Sequence, residues 1–231
     1  LNIQEKREAP GDAKQIITTS GGSPKKPRGA FILFEGLDRS GKSTQCTKLF
    51  EKLNAERKGS AVHMRFPDRE TPIGKMIHLY LTNQSHLSDQ AIHLLFAANR
   101  WESSNKLQSA LINGQSVVVD RYLYSGVAFS SAKRLSLNWC LQPERGLPAP
   151  DVVIFMKLSP TDAEKRGGYG TERYENKELQ DRVAERFEQL KQLNGKVLDG
   201  GQSIDALHTT SAAIASQTIT EVANKPIDII H

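Results

Sequence analysis

Cysteine is nearly absent from the 231-residue chain: only Cys46 and Cys140 occur, and neither stands in a CxxC or metal-ligand spacing. A disulfide-stapled secreted scaffold and a cysteine-built zinc site are thereby excluded. The two residues read as small buried side chains or reduced thiols of a cytoplasmic or nuclear protein. Long apolar runs are also missing. No stretch approaches the ~20 residues that a membrane-spanning helix needs, and no apolar segment near the start supports a signal peptide. Internal repeats and coiled-coil heptads are absent. Hydrophobic residues make up 38% and charged residues 25%, ordinary for a soluble globular chain, and the length suits one α/β domain rather than two. A net charge of +5 fits nucleic-acid binding or a pocket that gathers arginines around phosphates. The second is preferred, because neither an aromatic-rich basic strand nor a basic helix is visible.

Residues 1–28 mix charges of both signs with Gly, Ser and Pro and keep no hydrophobic period, so they are expected to form a disordered tail ahead of a domain over 29–231. Glu5, Glu8 and Asp12 argue against a mitochondrial transit peptide, and "KKPR" is too short to establish nuclear import. Other organelle targeting by this tail stays open. The chain begins at Leu1, so the native amino terminus is expected upstream.

Within the domain, short continuous apolar runs alternate with segments of helical period. Strands are expected at 31–35, 61–65, 116–120, 152–158 and 196–198. Helices are expected at 42–56, 73–81, 88–112, 122–133, 160–166, 177–194 and 204–222, with Ser88-Asp89 opening the third and Asn113-Gly114 closing it. This βαβ alternation predicts a three-layer α/β/α sandwich around a five-stranded parallel sheet, with ligands at the carboxyl ends of the strands.

"FEGLDRSGKST" supplies the chemistry. Gly36 and Gly41 bracket "LDRS", and Lys42-Ser43 follow, immediately after one strand and at the start of a helix. That is the P-loop pattern in its required context. Backbone N–H groups of such a loop converge on the β-phosphate, Lys42 bridges the β- and γ-phosphates, and Ser43 ligates Mg²⁺. Ser40 lies inside the loop, and Thr44 reads as a helix-packing residue more than as a second metal ligand. Arg39 is unusual, because a pure binding loop has little need of an added fixed cation. No guanine-reading NKxD follows a later strand, since "NKPID" at 224–228 places its aspartate one residue late. The third strand ends in Asp120-Arg121: the aspartate suits an Mg²⁺ site and the arginine a second anionic ligand.

"MRFPDRETPIG" at 64–74 places Arg65 and Arg69 at the carboxyl end of the second strand, where guanidinium forks match phosphate oxygens. In "LLFAANRWE", Phe96 and Arg100 stand at i and i+4 on one helix face, a ring to stack on and a donor fork for a base edge. A packing contact beside a surface charge is the alternative.

Together "FEGLDRSGKSTQ", "RFPDR", "LLFAANRWE", "VVVDRYLYSGVAF", "GLPAPDVVIF" and "KRGGYGTERYE" resemble thymidylate kinase, the dTMP kinase family of the nucleoside-monophosphate kinase group, from about Gly29 to the C-terminal region. The resemblance implies a P-loop NTPase fold with a mobile lid, Mg²⁺-dependent transfer of the ATP γ-phosphoryl group to dTMP giving dTDP in dTTP biosynthesis, and usually a homodimer. The family divides by whether its extra arginine lies in the P-loop or in the lid, and Arg39 puts this chain with the P-loop type. The lid corresponds to residues around 159–175, made mobile by glycines 167, 168 and 170, and it still contains Arg166 and Arg173. Carried over by resemblance, Asp38 meets a nucleotide sugar hydroxyl, and Arg69 and Arg121 bind the acceptor phosphate. Phe66 and Phe96 wall the thymine, and Arg100 donates to its carbonyl. Ser125, Gly126 and Phe129 complete the base pocket, Tyr122 crowds the 2′ position, and Tyr174 closes over the acceptor. Adenine is expected between Arg166 and the loop at 198–202, where Gly200 offers backbone. A deoxynucleoside kinase or UMP/CMP kinase, and a non-catalytic nucleotide-dependent binding module, are the rival readings.

Overall fold

The computed structural model describes residues 27–166, 172–190 and 195–231. In chain order the elements are β1 (Phe31–Gly36), α1 (Lys42–Glu56), β2 (Ala61–Arg65), α2 (Pro72–Leu81), α3 (Asp89–Ile112), β3 (Ser116–Asp120) and α4 (Leu123–Ala132). There follow α5 (Leu137–Leu141), a 3₁₀ turn (Gln142–Glu144), β4 (Val152–Lys157), α6 (Pro160–Glu164), α7 (Lys177–Leu190), β5 (Gly195–Asp199) and α8 (Ile204–Val222). The helices begin where sequence chemistry sets them. Thr71, Ser88 and Ser203 each accept a backbone N–H three residues on, closing the first turns of α2, α3 and α8.

The five strands are parallel in the order β2-β3-β1-β4-β5. Alternate side chains feed two cores, as the period of a strand requires. Phe31, Leu33, Val117, Val119, Val153 and Phe155 face one side, with residues of α2, α3, α4 and α7. Ile32, Phe34, Val118, Ile154 and Met156 face the other, with residues of α1 and α8. The three-layer sandwich expected from the sequence is thus present. From β1 the chain winds toward β3 and β2 on one side and reaches β4 on the other, which opens a crevice beyond the carboxyl ends of β1 and β3. Register sets Phe34 beside Asp120 and Gly36 beside Met156.

The segment between α4 and β4, read from sequence without structure, holds α5 and the 3₁₀ turn. Five- and three-residue elements are too short to carry a hydrophobic period. The helix expected over 177–194 is described as far as Leu190, and that over 160–166 ends at Glu164. Residues 1–26 lie outside the described part. Arg28, counted with the tail on sequence grounds, belongs to the fold: its Nη1 and Nη2 donate to the two Asp151 carboxylate oxygens at 2.7 Å each, and its Nε to the Lys225 carbonyl at 2.8 Å. Asp151 also accepts Phe31 N–H at 2.7 Å. The chain end returns to the loop after α5, where Gly146 N–H donates to the Ile230 carbonyl at 2.8 Å and Ile230 N–H to the Leu147 carbonyl at 2.9 Å. Among the described residues no helix is long and apolar enough to cross a membrane.

Candidate active site

The P-loop is built on three residues with positive φ: Gly36 (136°), Arg39 (63°) and Gly41 (98°). At Gly36 a Cβ would stand 2.4 Å from the Met156 carbonyl oxygen, so only glycine lets β1 turn this tightly against β4. Arg39 holds the left-handed conformation with a side chain attached, at an intrinsic cost of ~1 kcal/mol or more. Ser40 and Lys42 are buried. Lys42 Nζ donates to the Leu37 carbonyl and, at 3.4 Å, to Ser40 Oγ. Thr44 and Ser43 are exposed, so Thr44 is not the packing residue its helical position suggested.

Burial, and after it the Arg121 charge, brings the Lys42 ammonium down to about 8, while Asp38, Asp120 and Glu35 oppose the shift. Lys42 therefore carries its charge below that value and loses it above. If Lys42 grips the phosphates as the loop pattern predicts, the expected result is a kcat/KM for ATP that is level up to about pH 8 and declines beyond it, as the cation is lost. A profile that stays level well past this value would show that Lys42 keeps its proton.

Ser43 Oγ donates to Asp120 Oδ2, and Asp120 Oδ1 is buried without a hydrogen-bond partner. An orphaned carboxylate oxygen beside a P-loop hydroxyl is the donor set a hard cation takes, so the residues fit Mg²⁺. Arg121, next along, also has positive φ (70°). Its Nη1 donates to Ser125 Oγ at 2.8 Å and to the Gly36 carbonyl at 3.3 Å, and its Nη2 to Asp38 Oδ1. Asp38 Oδ2 accepts from Gln180 Nε2 at 2.9 Å. Burial alone raises the Asp38 carboxyl, but Arg121, Lys42 and the Gln180 hydrogen bond outweigh it and leave Asp38 below its ordinary value. Asp38 is thus a fixed anion, and Arg121 a cation aimed across the crevice.

Beside the P-loop opens a cleft of about 220 Å³, and every substrate-side residue expected from sequence lines it: Asp38, Phe66, Arg69, Phe96, Arg100, Arg121, Tyr122, Ser125, Gly126, Phe129 and Tyr174. Tyr174 stacks on Phe129 with ring centroids 5.2 Å apart and lies 6.4 Å from Phe96. Tyr122 is buried edge-on against Phe31, and its hydroxyl has no hydrogen-bond partner. Arg69 is engaged in bidentate fashion by Glu172, at 2.7 and 2.9 Å. Arg39 Nη2 reaches Glu175 at 3.3 Å. Arg166 donates to the carbonyls of Arg39 (2.9 Å) and Gly200 (2.6 Å), and so fastens the P-loop to the loop after β5.

The Thymidylate kinase family model matches residues 34–210. Thymidylate kinase of Arabidopsis thaliana is 47% identical over 207 residues, which cover 89% of this chain and 78% of that protein. The Homo sapiens enzyme is 46% identical over 204 residues, 87% of this chain and 96% of that one. The solved thymidylate kinase of Candida albicans, whose structure is described as revealing the origin of broad substrate specificity, superposes with a TM-score of 0.80 at 40% identity, covering 88% of this chain and 99% of that chain. The chain belongs to the thymidylate kinase family.

Within this family member, Arg173 does not enter the cleft. Its Nε donates to the Tyr80 carbonyl (2.8 Å), its Nη2 to the Ser85 carbonyl (2.9 Å), and its guanidinium lies 4.2 Å over the Tyr80 ring, so it anchors the segment before α7 to α2. Gly167, Gly168 and Gly170, on which the expected lid mobility rests, lie outside the described residues.

Sequence reasoning passed over four supporting groups. Glu35, fully buried in β1, accepts Tyr122 N–H (2.8 Å), Ser125 N–H (3.0 Å) and Ser125 Oγ–H (2.5 Å), and so fixes the start of α4, which carries Ser125 and follows closely on Arg121. A carboxylate inside the apolar run "FILFEG" was the available signal. Asn99 accepts Asp68 N–H at 2.8 Å and donates to the Asp68 carbonyl at 3.1 Å, which ties down the loop bearing Arg69. Gln180, which steadies Asp38, left no sequence signal. Nor did Glu144, the counter-ion of Arg100.

Proposed function

We propose that ATP lies on the P-loop with dTMP in the adjoining cleft, and that Arg39, Lys42 and Arg121 carry the transfer between them. As a member of its family the chain catalyses ATP-dependent phosphorylation of dTMP to dTDP, a step toward dTTP. The observation that supports this residue-level reading is the convergence of a P-loop with an aromatic-walled, arginine-lined cleft at the carboxyl ends of β1, β3 and β2.

An oxygen of the dTMP phosphate attacks the γ-phosphorus, the bond to the β-bridging oxygen breaks, and ADP leaves. The acceptor is already anionic near neutral pH, so the reaction needs alignment and charge neutralisation rather than a strong base. Lys42 holds the β- and γ-phosphates, and Arg39 adds charge to the group in flight. Arg121 and Arg69 hold the acceptor phosphate, and Asp38 meets its sugar hydroxyl. Adenine packs against Arg166 and the loop at 198–202, which the Arg166–Gly200 hydrogen bond joins. Ser43 and Asp120 hold Mg²⁺, which when bound neutralises phosphate charge. Residues around 159–175 form a lid that excludes water, the competing acceptor. A homodimer through α2 and α3 is supported by the exposed Met76, Leu79, Leu94 and Trp101, and equilibrium sedimentation tests it. The buried free thiols of Cys46 and Cys140 suit a reducing compartment, cytoplasmic or nuclear.

A coupled assay with ATP and four acceptors tests the reading. dTMP should be used best. dUMP should be used less well but measurably, because one methyl group in an apolar pocket is worth only ~1 to 3 kcal/mol. dCMP should be far poorer, and thymidine, which has no phosphate for Arg69 and Arg121, should be inert. A preference for thymidine or for dCMP would reassign the chain to a nucleoside kinase or a UMP/CMP-type kinase.

A further inference from the structure

Arg100 does not reach the base pocket as a free cation. Its side chain is 2% exposed and that of its partner Glu144 is 0% exposed. Arg100 Nε donates to Glu144 Oε2 at 2.8 Å, and Nη2 donates to Oε1, so one whole edge of the guanidinium is taken. Nη1 makes no hydrogen bond among the described residues. The guanidinium lies against Gly126, where an added Cβ would stand 2.7 Å from Nη2 and 3.2 Å from Nη1. Arg100 and Gly126 line the cleft, whereas Glu144 does not and stands behind the arginine.

Glu144 is itself fastened to the helix that carries Arg100. Trp101, the next residue along α3, donates its Nε1–H to the Pro143 carbonyl at 2.8 Å. His93 of the same helix lies 3.0 Å, through Nε2, from the Cys140 carbonyl just before the 3₁₀ turn. Leu147 N–H returns to the Glu144 carbonyl at 3.2 Å. Arginine and carboxylate are therefore carried on one rigid unit.

Resting on the reading of this cleft as the dTMP site, we propose that Glu144 is a positioning residue that sets base choice: it clamps one edge of Arg100 so that only the opposite edge, donors without acceptors, meets the base. A guanidinium cannot deprotonate and has no acceptor. Left mobile, it could swing away from an exocyclic amino group and merely lose a contact. Held by Glu144 in a buried site it cannot withdraw, so a pyrimidine with a carbonyl at position 4 is matched and one with an amino group faces opposed donors. Glu144 thereby turns a general cation into a discriminator.

The test is Glu144→Gln, whose amide sets an N–H against one of the two arginine donors and breaks the fork. Losing one hydrogen bond to a charged group should lower kcat/KM for dTMP and narrow the dTMP-to-dCMP ratio by roughly 10- to 100-fold. The dTMP-to-dUMP ratio and the KM for ATP should stay in place, since uracil keeps the carbonyl and ATP is held elsewhere. General loosening of the pocket would move both acceptor ratios together and would overturn the proposal. So would an unchanged dTMP-to-dCMP ratio in a variant whose parent discriminates. A wild-type protein that does not separate dTMP from dCMP would sink the underlying reading of Arg100 instead, and the proposal with it. If Glu144→Gln does not fold, Glu144→Asp, which keeps the charge and withdraws the carboxylate, is judged by the same two ratios.

Discussion

Replacing Arg39 by glycine is expected to lower kcat by roughly 10³-fold or more, the scale on which a phosphate-facing arginine stabilises the transferring group. The melting temperature should hold or rise slightly. Arg39 is kept at φ 63°, a conformation glycine adopts without penalty. The substitution therefore removes backbone strain of ~1 kcal/mol together with the side chain. The KM for ATP should change far less than kcat, because the β- and γ-phosphates keep Lys42 and the loop amides, and a charge acting mainly in the transition state shows itself in turnover. Near-normal turnover with a large rise in the ATP KM would assign Arg39 to binding. A fall in melting temperature would show that its link to Glu175 outweighs the strain.

The second large effect concerns the base. Arg100→Ala alone would strand the Glu144 carboxylate in a buried site, and breaking a buried pair from one side costs ~3 to 5 kcal/mol of stability. Activity and folding would then fall together. Replacing both partners by apolar residues of similar volume, Arg100→Met with Glu144→Leu, is often neutral or stabilising. The double variant should therefore keep its melting temperature and lose its discrimination. A site built to pair a polar substrate group can reject an analogue by up to ~10⁴- to 10⁵-fold. The wild-type dTMP-to-dCMP preference should approach that scale and collapse toward unity in the double variant. A ratio that survives would move base reading to another group, with Ser125 and the unpartnered Tyr122 hydroxyl the next to be tested.

The sequence announced those parts of the site whose residues act through their immediate neighbours in the chain. "GLDRSGKS" carries its loop conformation in its own glycines, and strands buried on both faces stand out as apolar runs. The i, i+4 spacing of Phe96 and Arg100 put both in the cleft. What it could not announce were partners chosen by the fold. Glu144 lies 44 residues from Arg100 in a connection with no sustained period, and nothing local says that a carboxylate there is fully buried. Arg173 looked like a lid cation until α2 was seen to hold it. Thr44 followed a helical period that predicted packing, but the period does not say which face the neighbouring α8 covers.

The carboxylates of Glu172 and Glu175 give the cleft a further character. Two arginines expected to meet phosphate already hold anions contributed by the chain itself. Under the proposed contacts, arrival of dTMP and ATP would be an exchange of one anion for another, with the tally of ion pairs nearly conserved. Such a cleft is a poor trap for stray sulfate or chloride, since a visitor must outcompete a tethered rival. A ligand that brings doubly charged phosphate together with a base to stack is expected to displace it most readily. Under the proposed phosphate contacts, Glu172 and Glu175 would lose their cations on substrate arrival, and the segment before α7 that carries them would be the first part of the chain to register it.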